Sequence, residues 1–264
     1  MKFYISADIE GTAGCLNWEY TMGNSSEYQE QKRIMTNEVN ACIRALNENY
    51  PDCEIVIKDA HYLGNNLDID AFPENCRIIR GWSHNPHSMV QGIDESFDGI
   101  FFIGYHNAAS TGTTPLAHSF NGSKYQRIEL NGELCSEFLF NSSVALHHGV
   151  KTILLSGDKG ICNEVNKIDD SIKTVYSYEG FGESILTKTP KRVQREIYEA
   201  TLEASSKISK VDPVIKPYEL KVEYKKASDC LKASNISIAT QVSSNTLILK
   251  GKDIKEIEAV FYYL

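Results

Sequence analysis

The chain lacks a long apolar run. Its apolar stretches are short, as in Gly99-Ile100-Phe101-Phe102-Ile103-Gly104, against the roughly 20 residues that a membrane-spanning helix needs. It lacks a basic stripe: 27 Lys and Arg stand against 35 Asp and Glu, a net charge of −8. That balance argues against nucleic acid as a partner, because neutralising phosphates takes clustered cations. It lacks paired cysteines. The seven (Cys15, Cys42, Cys53, Cys76, Cys135, Cys162 and Cys230) are odd in number, scattered and never spaced C-x-x-C. A disulfide framework or a thiolate zinc knuckle is thereby disfavoured, and a reducing compartment fits. No G-x-S-x-G is present, which argues against a serine hydrolase of the α/β type. Gly11-Thr12-Ala13-Gly14 neither completes a G-x-G-x-x-G nor precedes a P-loop lysine, so it reads as a tight turn. Met1–Asp8 reaches an acid before a signal-peptide core could form, and the expectation is a cytoplasmic protein with no membrane partner.

What is present is enough for a sizeable core: 264 residues, 42% hydrophobic, with 14 Tyr and 10 Phe. Lys2–Ala7 reads as a strand. Met35, Val39, Cys42, Ile43 and Leu46 recur at helical spacing within a helix over about 26–49, stopped by Pro51. Strands follow at 53–58, 99–104, 126–130 and 152–156, with a turn at Asn131-Gly132 and a helix over about 133–148. Strands alternating with helices predict an α/β fold: a mostly parallel, doubly wound sheet with helices on both faces. Beyond about residue 180 the texture changes. Thr189-Pro190 opens a helix with Val193, Ile197, Ala200, Ala204 and Ile208 on one stripe. Strands at 218–224 and 246–250 flank a short helix, and a last helix starts at Asp253. The expected division is a metal-binding α/β domain over 1–188 and a smaller α+β domain over 189–264.

Ligands of a doubly wound sheet collect beyond the carboxyl ends of its strands. Those positions hold Asp8 and Glu10, then Asp59 and His61, then Tyr105-His106, with His118 and Glu137 further on. Imidazole and carboxylate together suit a divalent transition metal such as zinc. Asp8 alone would be a turn cap. Glu10 changes the reading, because residues i and i+2 of an extended segment face one point, and without a cation one carboxylate of such a pair is forced to protonate. His147-His148 reads as a structural helix end, and His84 and His87 as loop surface.

Ser6-Ala7-Asp8-Ile9-Glu10-Gly11 resembles the S-x-D-x-E-G opening of the M55 peptidases, a family of zinc D-aminopeptidases. The resemblance continues in order through Asp59-Ala60-His61, Asn65-Asn66-Leu67, Ser88–Asp94, Gly104–Ser110, Ala117-His118-Ser119 and Asn131-Gly132 with Ser136-Glu137. It covers about residues 3–160. The resemblance implies two zinc ions per chain held by Asp8, Glu10, His61, His106 and Glu137, with Asp8 bridging and His118 as the catalytic histidine. It also implies short peptides with a free N-terminus, D-residues included, as substrates, and a homo-oligomer in the form of a decameric ring. Two other readings use the same ligand types: a binuclear-metal phosphoesterase, and a non-catalytic metal-dependent peptide-binding protein.

Overall fold

The apolar runs and helical stripes form the expected kinds of element. A computed structural model describes residues 1–112 and 114–264. In chain order come β1 (Lys2–Ala7), α1 (Ser26–Asn49), β2 (Glu54–Asp59), β3 (Cys76–Ile79) and β4 (Gly99–Tyr105). Then follow β5 (Tyr125–Leu130), β6 (Glu133–Leu134), α2 (Glu137–His147), β7 (Thr152–Gly157), α3 (Lys159–Ile168) and β8 (Lys173–Tyr176). The hairpin β9 (Tyr178–Phe181) and β10 (Ser184–Thr187) leads to α4 (Pro190–Ser205) and β11 (Tyr218–Tyr224). Last are α5 (Ala227–Ala233), β12 (Ala239–Gln241), β13 (Thr246–Gly251) and α6 (Ile254–Phe261). No described helix is long and apolar enough to cross a membrane.

The main sheet is parallel throughout, in the order β3-β2-β1-β4-β7-β8. The chain winds outward in one direction from β1 and in the other from β4, so the switch point lies between these two strands. Both faces of the sheet are covered, which is why β4 is buried at all seven positions. Phe3, Ile5, Phe101 and Ile103 pack on one side with Met35, Val39 and Ile43 of α1 and Val193 and Ile197 of α4. Tyr4, Ile100 and Phe102 pack on the other side with Phe138 of α2 and the second sheet. The fold is therefore α/β, with an added antiparallel sheet ordered β12-β13-β11-β5-β6. This sheet joins two strands from before residue 188 to three from after it.

The helix expected over 133–148 begins four residues later. Asn131 (φ 52°) and Gly132 (φ 85°) make a turn that returns the chain on itself, and Glu133 and Leu134 are taken into the ladder opposite Leu130 and Glu129. The Ser136 hydroxyl then accepts the Leu139 N–H at 3.0 Å, so Glu137 opens the helix. At α4, Thr189 occupies the cap position without a side-chain capping bond. That helix ends at Ser205, so Ile208 lies beyond its stripe.

One buried acid in α1 was not visible in the apolar stripe. Glu38 is fully buried, with a single partner at Oε1, the Ala13 N–H at 2.9 Å. Burial pushes its carboxyl up to about 8. The native state thus holds a proton that the unfolded chain releases near pH 4.5, and this contribution to stability is present below that pH and is lost as pH rises to about 8. Glu38→Gln is expected to flatten that loss. Urea unfolding from pH 5 to 8 should show the variant gaining on the wild type by on the order of 3–5 kcal/mol. Parallel pH curves would contradict the assignment.

Candidate metal centre

The site lies at the β1/β4 switch point, and two glycines let the strand ends meet there. A Cβ at Gly11 would fall 1.7 Å from the Tyr105 carbonyl oxygen, and one at Gly104 (φ +77°) would fall 2.2 Å from that of Asp8. Instead the Gly11 N–H bonds the Gly104 carbonyl at 2.8 Å and the Asp8 N–H bonds that of Ile103 at 2.8 Å. The segment after Asp8 is not extended. The Thr12 N–H returns to the Ile9 carbonyl at 3.1 Å, so a turn, not strand alternation, brings Asp8 and Glu10 together.

Around them stand His61 beyond β2, His106 beyond β4, and Glu137 at the start of α2. His61 Nδ1 lies 3.2 Å from Asp8 Oδ1 and 3.1 Å from Glu10 Oε2. His106 Nε2 lies 3.6 Å from Asp8 Oδ2 and 3.5 Å from Glu137 Oε1. Ligands bonded at about 2.0–2.1 Å to one tetrahedral zinc stand about 3.3 Å apart, so the spacing fits. Asp8 belongs to two donor triads, Asp8-Glu10-His61 and Asp8-His106-Glu137, and a third contains Glu10, His106 and His118.

The backbone fixes which ring nitrogen is free. A carbonyl only accepts, so His61 Nε2 donates to Thr21 O at 2.7 Å and Nδ1 keeps its lone pair toward the acids. His106 Nδ1 donates to Asn107 O at 2.9 Å, which leaves Nε2 inward. Asp158, capping α3, accepts the Asn107 N–H at 2.7 Å and holds that carbonyl in place. Asp8 Oδ2, Glu10 Oε2 and His106 Nε2 are buried with no hydrogen-bond partner. Three buried acceptors without partners, in a cluster with three carboxylates, leave a demand that divalent cations would meet.

The protonation pattern agrees. Burial first, then Glu10, pushes Asp8 up to about 8. Burial also opposes the charge on Glu10, but His61, His106 and His118 outweigh it and its carboxyl stays well below the usual range. Burial likewise works against a charge on His61 and His106; the surrounding carboxylates outweigh it and raise both rings well above the usual histidine value. The rings would take protons to supply the missing positive charge.

His118 is set apart. Its ring stacks on His106 at 4.2 Å between centroids and 8° between planes, and makes an edge-to-face contact with Trp18 at 5.1 Å between centroids. Nδ1 donates to Leu116 O at 2.9 Å, and Nε2 is 3.6 Å from Glu137 Oε1. Burial and the neighbouring His106 hold it below the usual value. It lines a cavity of about 1020 Å³ that also reaches Asp8, Glu10 and Glu137 and extends to Phe261 and Tyr262.

The sequence-predicted residues Asp8, Glu10, His61, His106, Glu137 and His118 therefore converge. Asp59 does not join them: its oxygens accept the Asn66 and Leu67 N–H groups at 2.5 and 2.8 Å and the Asn66 side-chain amide at 2.6 Å. His87 is half-buried against Glu258 at 3.1 Å and is no surface residue, whereas His84 is exposed. Asp158 was missed, although it follows β7 as Asp8 follows β1. The Thr21, Asn107 and Leu116 carbonyls carry no sequence signal.

The model of peptidase family M55, D-aminopeptidase, matches residues 1–262 of the chain. A D-aminopeptidase of Bacillus subtilis (strain 168) is 27% identical over 262 residues, covering 97% of this chain and 93% of that protein. A solved structure, the "Zn-dependent D-aminopeptidase DppA from Bacillus subtilis, a self-compartmentalizing protease", is similar with a TM-score of 0.88 at 25% identity, over 100% of this chain and 95% of that one.

Proposed function

The chain belongs to the M55 peptidase family of D-aminopeptidases, and from that membership we infer a zinc-dependent aminopeptidase that removes the first residue of short peptides, D-residues included. The observation that carries this reading is the pair of donor triads sharing Asp8. They support two ions per chain: Asp8, Glu10 and His61 would hold one, and Asp8, His106 and Glu137 the other, Asp8 being common to both sets. Zinc bound there would supply Lewis acidity toward a carbonyl oxygen and would acidify water. The Thr21 and Asn107 carbonyls fix the tautomers of the two ligating rings. His118, its Nδ1 held by Leu116 and its Nε2 beside Glu137, moves a proton or steadies the developing oxyanion.

The same reading extends to assembly and location. We take residues 1–188 as the catalytic domain and 189–264 as the smaller unit that helps wall the cavity. A decameric ring is in keeping with the self-compartmentalizing relative. Seven unpaired cysteines suit a cytoplasmic setting. Zinc-loaded protein should cleave D-alanyl-p-nitroanilide and leave a chromogenic phosphodiester untouched. Turnover of the phosphodiester alone would transfer the site to phosphoesterase chemistry. Turnover of neither, nor of any short peptide, would leave a binding protein.

A further inference from the structure

The metal centre is an acidic floor to the cavity, but one wall is basic. Lys124 and Lys225 both line it. They sit side by side at the joined ends of β5 and β11, where the Lys225 N–H donates to the Lys124 carbonyl at 2.9 Å. Among the described residues neither ammonium has an ion-pair partner. Lys225 Nζ donates to the Gly122 carbonyl at 2.6 Å, and Lys124 Nζ lies 5.6 Å from the centre of the Tyr125 ring. Adjacent like charges cost stability unless something neutralises them. This chain has 35 acids to do so, and none of those described pairs with either lysine. Glu258, the acid on the adjoining wall, is already engaged by His87 at 3.1 Å.

The lysine pair is also tied to His118. Gly122, whose carbonyl holds Lys225 Nζ, packs on the histidine so closely that a Cβ there would stand 3.3 Å from His118 Cβ. Gly122 thus links the two, packing on His118 while its carbonyl holds Lys225 Nζ. A short peptide is a zwitterion, and two residues span at most about 7 Å. Lys124 and Lys225 share one cavity with Asp8, Glu10 and Glu137, so a peptide with its amine toward the floor can present its carboxylate to that wall.

We propose that Lys124 and Lys225 bind the C-terminal carboxylate of the peptide substrate, so that the enzyme selects short peptides with a free C-terminus over chains that continue or end in an amide. The proposal rests on the aminopeptidase reading, and its test separates the two. Zinc-loaded wild-type protein and the double variant Lys124→Gln, Lys225→Gln are assayed on D-alanyl-glycine and on D-alanyl-glycinamide. A charge-assisted bond to a partly exposed carboxylate gives about a 10-fold preference for the free acid in kcat/KM. In that double variant the ratio should fall toward one through a higher KM for the acid, and in Lys124→Arg, Lys225→Arg it should return. A loop disturbance would slow both substrates together and leave the ratio alone. An equal ratio in wild type and glutamine variant overturns the proposal, whereas failure of the wild type on both peptides overturns the aminopeptidase reading itself.

Discussion

Replacing His118 by alanine is expected to leave zinc content at the wild-type level while kcat falls by about 10²–10⁴-fold, the range for loss of a positioned proton-transfer group. The expectation follows from the position of the ring. His118 stacks on His106, while Asp8, Glu10, His61, His106 and Glu137 make up two triads without it. Its Nδ1 is committed to the Leu116 carbonyl, which leaves Nε2 as the one nitrogen for chemistry. Metal analysis and steady-state kinetics on one preparation decide the matter. Zinc lost in step with activity would make His118 a ligand, as the third triad with Glu10 and His106 allows. Full activity would remove it from the mechanism.

Asp8→Ala should have the largest effect of all. Asp8 is the carboxylate common to both metal triads, so its loss is expected to empty the site of both ions and bring peptide turnover to background. His61→Ala or Glu137→Ala, each confined to one of those two triads, should retain about half the metal. The stability signature is separate from turnover. Ligand that binds only the folded state raises stability by about 4 kcal/mol at 1,000 times its dissociation constant. Added zinc should therefore raise the melting temperature of the wild type and leave that of Asp8→Ala unmoved. An equal zinc-induced shift in both proteins would place the ions elsewhere.

Much of this site was legible because parallel strands release their chains at one edge, and a residue just past a buried apolar run is carried there whatever the intervening sequence does. Asp8, Glu10, His61 and His106 follow that logic. Glu137 does not: it arrives from the start of a helix, and the family resemblance, not the spacing, assigned it a metal. The pairing of Asp8 with Glu10 was anticipated for the wrong reason, since the turn closed by Thr12 and made possible by Gly11 does the work expected of an extended strand. Neighbours in space but not in sequence were illegible. Asn131-Gly132 announced a turn, yet nothing local indicated that β5 and β6 would join β11, β12 and β13 in a second sheet and set Lys124 beside Lys225. The carbonyls of Thr21 and Asn107 act through backbone oxygens that every residue has.

The central claim is that one cluster of buried carboxylates and imidazoles holds two zinc ions and that peptide cleavage depends on them. Its most direct test is a zinc titration of metal-stripped protein, followed by hydrolysis of D-alanyl-glycine at each point. Turnover should be absent at the start and rise to saturate near two equivalents per chain, and chelation should abolish it again. Undiminished cleavage by metal-free protein would contradict the claim.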